Sequence, residues 1–244
     1  MNKKLDNRVV LVTDGSNPSG KAISQLFLQH GAKLILGLPI SQSPDSTGVH
    51  CESVVEIPLD YTQESAWSYL LFKAKNTFGR IDILINNLEQ ITGQNIIETS
   101  DEIWDQTVQQ NLDSVFLATK SIIPYFLEIN GGSIVNLLSI ESMTGSPYST
   151  AFTSSQGGIR TLSKSVAVQY AKHNIRSNCI LMGYFEDTAS KQIESKSLSS
   201  SHNIPMGRLG NFEELSHVVL FLAGTESRYI TGTELVVDGG FSNA

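Results

Sequence analysis

Few residues of this sequence stand where they could do chemistry, and three places draw the eye. The apolar run Arg8–Thr13 passes through a Gly/Ser/Asn/Pro turn into a helix starting near Pro18. A strand, a turn and a helix N-terminus in that order form the arrangement that can hold a phosphate on backbone N–H groups. Asn17 followed by Pro18 also makes a good N-cap and first helical residue with no ligand present. Ser139 closes the run Gly132–Ser139, where a strand-end hydroxyl can polarise a carbonyl or simply bond nearby backbone. Tyr148 lies in the loop after Gly145-Ser146-Pro147, from which a phenol could reach a cleft, although a loop tyrosine more often packs on a rim. The histidines at 30, 50, 173, 202 and 217 form no ligand pair, and Cys51 and Cys179 fit no metal or redox spacing, so no metal site is expected.

The elements that must position these groups alternate. Strands are expected at Arg8–Thr13, Lys33–Leu36, Val54–Pro58, Ile81–Asn86, Gly132–Leu138, Ile175–Leu181 and Leu235–Val237. Helices are expected at Pro18–His30, Thr62–Phe78, Asp101–Leu127 and Ala151–His173, the second with Trp67, Leu70, Leu71 and Ala74 at helical spacing. Such alternation implies right-handed crossovers and a parallel sheet covered on both faces. The expected fold is α/β, a Rossmann-type doubly wound seven-stranded parallel sheet, in one domain spanning 1–244. The Ser-rich stretch Thr188–Asn203 reads as a lid or a surface excursion.

Composition narrows the partners. With 40% hydrophobic residues in 244, the chain can bury a sizeable core. A formal charge of −7 argues against nucleic acid and anionic membranes, and no apolar run is long enough to span a bilayer. The start, Met1 to Asp6, lacks the apolar core of a signal peptide. A reduced, cytoplasmic protein is expected.

Several spaced motifs, in order, carry a resemblance that covers the whole chain. They are Asn86-Asn87, Gln110-Asn111-Leu112, Gly132–Ser139, Ile175-Arg176-Ser177-Asn178 and Pro205-Met206-Gly207-Arg208-Leu209-Gly210, followed by Ile230-Thr231-Gly232 and Val237-Asp238-Gly239-Gly240. On them the chain resembles the short-chain dehydrogenases/reductases. That resemblance implies a Tyr acting as acid or base, a Lys one helical turn later, and a Ser that polarises the carbonyl. It puts Ser139 at the family's Ser and Asn111 at its structural and proton-relay Asn, but Phe152 and Gln156 at the Tyr and Lys. Phenylalanine has no proton to move, and glutamine has no charge to tune a phenol. Acid–base catalysis worth about 10²–10⁴-fold would be missing. Tyr148 is the only nearby candidate for a displaced acid.

The implied cofactor site is altered as well. The family's T-G-x-x-x-G-x-G loop reads Thr13-Asp14-Gly15-Ser16-Asn17-Pro18-Ser19-Gly20, so Asp14 and Pro18 replace glycines, Ser19 falls on a variable position and only the last glycine, Gly20, survives. Leu38 falls where an acid would bond the ribose of NAD or a base would select NADP. Asp60 is retained where the family contacts adenine. Asn86 opens a loop continuing Asn87-Leu88-Glu89, with bulk and charge in place of small residues. Gly183 follows the sixth strand, and the family's carboxamide-binding Thr falls on Asp187, with Thr188 one residue late. The resemblance therefore leads to the expectation that no dinucleotide binds tightly, and that NAD or NADP is the cofactor if any binds. The favoured reading is a pseudoenzyme serving as a binding or assembly subunit, a homo-dimer or homo-tetramer, or a hetero-oligomer with an active relative, with room for a small molecule. The alternatives are an NAD(P)-dependent oxidoreductase with a displaced acid, or isomerase, cyclase or lyase chemistry in the same cleft.

Overall fold

The computed structural model describes residues 3–42, 47–48, 51–186 and 204–244. The Ser-rich stretch Thr188–Asn203 and the position Asp187 lie outside the described residues. Seven parallel strands form one sheet: β1 Val9–Val12, β2 Lys33–Pro39, β3 Val54–Leu59, β4 Ile83–Asn86, β5 Gly132–Ser139, β6 Ile175–Met182 and β7 Glu234–Val237. Their spatial order is β3-β2-β1-β4-β5-β6-β7. Every pairing is parallel. The order reverses between β1 and β4, and a sheet of this kind opens a crevice there, at the carboxyl ends of its strands. The chain thus has the expected Rossmann-like α/β architecture.

The helices among the described residues are α1 Pro18–Gln29, α2 Glu64–Phe78, α3 Asp101–Val108, α4 Ser114–Glu128, α5 Glu141–Thr144, α6 Thr150–Tyr170 and α7 Phe212–Ala223. One face of the sheet is covered by α1 and α7, where Ile23, Phe27, Leu215 and Val219 pack on alternate residues of β1, β2 and β4. The other is covered by α2, α4 and α6, with Trp67, Leu70, Ile122, Phe126 and Val166 on the intervening residues. The strands are apolar nearly throughout because both faces are buried.

Three expectations need correction. The second strand runs to Pro39 rather than Leu36, because β3 pairs with it as far as Leu59. The helix expected at Asp101–Leu127 is broken by a π-turn at Gln109–Asp113. Asn111 sits in that turn, and its amide bonds the Thr107 carbonyl that the wider turn leaves available. Two helices, α5 and α7, were not foreseen. α7 carries a full capping box, with the Asn211 and Glu214 side chains each bonding the other's backbone N–H.

Candidate functional site

The loop between β1 and α1 is closed on itself. Asp14 adopts a left-handed backbone, φ 47°, which aspartate tolerates better than most residues. Its carboxylate accepts from the Ser16 hydroxyl at 2.7 Å and the Asn17 amide at 3.3 Å. Asn17 is the N-cap and Pro18 the first residue of α1. Asn17 Oδ1 takes three donors: the Gly20 N–H at 2.7 Å, the Ser19 hydroxyl at 2.9 Å and the Asn87 amide at 2.9 Å. Ser19 also reaches Asn87 Oδ1 at 2.8 Å. Gly20 is fixed by sterics, since a Cβ there would lie 2.3 Å from the Asp14 carbonyl oxygen. A donor that could face an anion at this helix end is thus already bonded to an asparagine oxygen.

A residue that sequence reasoning missed completes this corner. Tyr61, at the end of β3, accepts the Asp14 N–H on its hydroxyl at 2.9 Å. Its ring passes Gly37, where an added side-chain carbon would sit 3.6 Å from it, and tilts against Trp67 at 5.9 Å. Burial first, and the Asp14 charge second, hold the phenol protonated far above its usual range. Asp60 beside it accepts from the N–H and hydroxyl of Thr62, ending the strand. The sequence signal was an aromatic directly after Asp60, a position where a small aliphatic side chain would leave the crevice open.

Two positions that the resemblance assigned to the cofactor cleft are buried. Leu38 is fully buried in the core under α1, because β2 extends past it. Asn86 is buried inside the sheet and donates to Asn136 Oδ1 at 2.8 Å. Gly183 is demanded by packing, since a Cβ would stand 2.6 Å from Asp238 Cα.

The structure does bring the expected catalytic positions together. β5 ends at Ser139, whose backbone N–H donates to Gln156 Oε1 at 3.1 Å. Its hydroxyl oxygen accepts from the Glu141 N–H at 3.2 Å, which leaves the hydroxyl proton free to donate. Gln156 is fully buried, and its Nε2 has no hydrogen-bond partner among the described residues. Phe152, one turn earlier on α6, is 1% exposed. Asn111 bonds both the N–H and the carbonyl of Gln90 at 3.0 Å, so its amide fastens the loop after β4 to the helix. Tyr148 is 71% exposed on the rim.

Three acidic groups not foreseen as a set surround the same end of the sheet. Glu141 accepts from the Ser149 hydroxyl at 3.0 Å. Glu89 is exposed on the loop after β4. Desolvation by the protein around it, with the Glu141 charge adding to it, pushes the Glu89 carboxyl up to about 7. Tyr184 stands edge-on to Phe241 at 5.1 Å, and partial burial with the Glu141 charge raises its phenol. Among the described residues no group of three or more His, Cys, Asp or Glu could hold a metal. Nor is any helix among them long and apolar enough to cross a membrane.

The family profile described as enoyl-(acyl carrier protein) reductase matches residues 19–242. A 3-oxoacyl-[acyl-carrier-protein] reductase FabG of Thermotoga maritima is 33% identical over 242 residues, covering 97% of this chain and 98% of the relative. An NADP-dependent (R)-specific alcohol dehydrogenase of Lentilactobacillus kefiri is 30% identical over 254 residues, covering 99% of each. A crystal structure provisionally described as a short-chain alcohol dehydrogenase of Sinorhizobium meliloti superposes with a TM-score of 0.90 at 26% identity, over 100% of both chains. The chain belongs to the short-chain dehydrogenase/reductase family.

Proposed function

We propose that this family member performs no hydride transfer with its own residues and works as a binding or assembly subunit. The observation that carries the reading is the Asn17 oxygen that takes the Gly20 N–H, the Ser19 hydroxyl and the Asn87 amide. It occupies the helix end where a dinucleotide's diphosphate would need donors. The residues present do not fit that cofactor. Asp14 adds a carboxylate, and at ~5 Å with an effective dielectric of ~20 each like-charge pair costs on the order of 3 kcal/mol before screening. The Tyr61 ring spans the crevice between the end of β2 and the Asp14 loop, where the family's ribose would lie. At the reacting end, Phe152 supplies no proton and Gln156 no charge, while the Ser139 hydroxyl can still orient a carbonyl. The exposed apolar residues Phe116 on α4 and Val168 on α6 support self-association as a dimer or tetramer. The absence of a bond between Cys51 and Cys179 fits a cytoplasmic setting.

A second reading follows from the printed names of the relatives: an NAD(P)-dependent oxidoreductase with a displaced acid. Tyr184, half-buried beside Glu141, then becomes the better phenol than the exposed Tyr148.

The test is oxidation of NADH or NADPH with a panel of ketones, by the wild type and by Phe152→Tyr/Gln156→Lys. Neither should turn over, because the cofactor loop is altered as well. Turnover by the wild type overturns the proposal, and its loss in Tyr184→Phe or Tyr148→Phe would identify the acid. Turnover by the double variant alone would show that the loop still admits the cofactor, which refutes the cofactor half of the reading.

A further inference from the structure

We propose a second ligand site, at the amino end of the sheet, that binds a small dianion of the phosphate-monoester class carrying a planar ring. A cavity of about 740 Å³ opens there, on the end of the sheet opposite the family cleft. That volume lies within the range of small-molecule sites. Its charged lining is Lys4, Arg8, Arg80, Arg176 and Arg228, with Asp82 as the single carboxylate.

The counter-ions do not balance. Asp82 serves both Arg8, at 2.6 Å, and Arg80. Lys4 pairs with Glu226 at 2.9 Å. Arg176 has no carboxylate partner among the described residues. It donates to the Ser133 hydroxyl and to the carbonyls of Leu222, Gly224 and Ile230, and burial lowers its pKa. Arg228 is exposed and forms no ion pair with the described residues. Five cations therefore face two carboxylates, a surplus of three in a chain whose net charge is −7.

A structural explanation competes with this. The carboxyl ends of α4, α6 and α7 converge on the cavity through Ile129, Ala171 and Ala223, and cations there satisfy helix carbonyls. Each helix end carries roughly half a negative charge, so three helices offset only about one and a half of the surplus. About one and a half positive charges remain, which a dianion fits. Tyr229 forms part of the cavity lining beside Arg228, and its ring is fully exposed. An unsupported ring next to a free guanidinium is a stacking platform for a planar group.

The test uses the intact chain with AMP, inorganic phosphate, ribose 5-phosphate and adenosine, followed by calorimetry and thermal shift at fixed ionic strength. AMP should bind saturably, more weakly as salt rises. Arg228→Glu, a change at an exposed unpaired side chain, should weaken AMP and phosphate by about tenfold. Tyr229→Ala should weaken AMP by about fivefold or more and leave inorganic phosphate unchanged. Asp60→Asn, in the family cleft, should change neither. Absence of saturable binding overturns the proposal. So does adenosine binding as well as AMP, or AMP binding that responds to Asp60→Asn and not to Arg228→Glu. None of these outcomes depends on whether the family cleft binds a dinucleotide.

Discussion

Replacing Asn17 by alanine removes one oxygen that three donors share, and the structure gives the size of the loss. The Ser19 hydroxyl keeps Asn87 Oδ1 at 2.8 Å, and the Asn87 amide keeps the Asp14 carbonyl at 3.2 Å. The Gly20 N–H, bonded to Asn17 at 2.7 Å, is left bare at the start of α1, and the Asp14 carboxylate loses the Asn17 amide at 3.3 Å while keeping the Ser16 hydroxyl. Losing an N-cap to alanine costs about 1 kcal/mol, within a range of ~0.5–2. The weakened contacts around it bring the expected total to about 1–2 kcal/mol. In a chain of this size each kcal/mol moves Tm by about 2–4 °C, so a fall of about 2–8 °C is expected in thermal unfolding, with the free-energy loss itself read by urea unfolding. The variant also exposes an unoccupied helix N-terminus, which attracts anions. Pyrophosphate should therefore raise the Tm of Asn17→Ala more than that of the wild type. A loss under ~0.3 kcal/mol would show that Asn17 is not the cap it looks like. Equal stabilisation of both proteins by pyrophosphate would refute the reasoning that its side chain fills the phosphate position.

Two further outcomes follow from the geometry. Glu89 has a folded pKa of about 7 against 4.5 unfolded, so its contribution to stability is fully present below pH 4.5 and lost as pH rises through 7. Glu89→Gln should then match the wild type near pH 4 and exceed it at pH 8 by about 1 kcal/mol or less once solvent screening is allowed for; equal stabilities at both pH values would contradict the placement of Glu89. Val168 is 82% exposed on α6, with Phe116 46% exposed on α4, so light scattering at micromolar concentration should find a dimer or tetramer that Val168→Lys weakens. A monomeric wild type would count against assembly through these helices.

Much of the fold was legible because periodicity and strand length report burial directly. Both faces of the sheet are covered, so apolar runs such as Val9–Val12 and Ile83–Asn86 marked strands without ambiguity. The π-turn at Asn111 was not legible, since Gln109–Asp113 holds no glycine or proline that would mark a break in the helix. The burial of Leu38 was not legible either: the end of β2 is set by pairing with β3, a contact distant in sequence. At the site, Phe152 and Gln156 were found by counting from Ser139, and the 3.1 Å bond from Ser139 to Gln156 agrees with that count. Asn17 was legible as a cap, but its bond to Asn87, 70 residues away, was not. Tyr61 escaped because its meaning lies in the hydroxyl reaching Asp14, which only the folded chain reveals.

The most direct test of the central claim is a calorimetric titration of the wild-type protein with NAD⁺ and NADH, which carry no phosphate monoester for the amino-end cavity, paired with thermal shift. With Asn17 on the Gly20 N–H, Asp14 in the loop and Tyr61 across the crevice, no saturable heat and no rise in Tm is expected. A ligand present at 100 times its Kd would stabilise the fold by about 2.7 kcal/mol, which the thermal measurement resolves readily. A micromolar Kd for either would contradict the account.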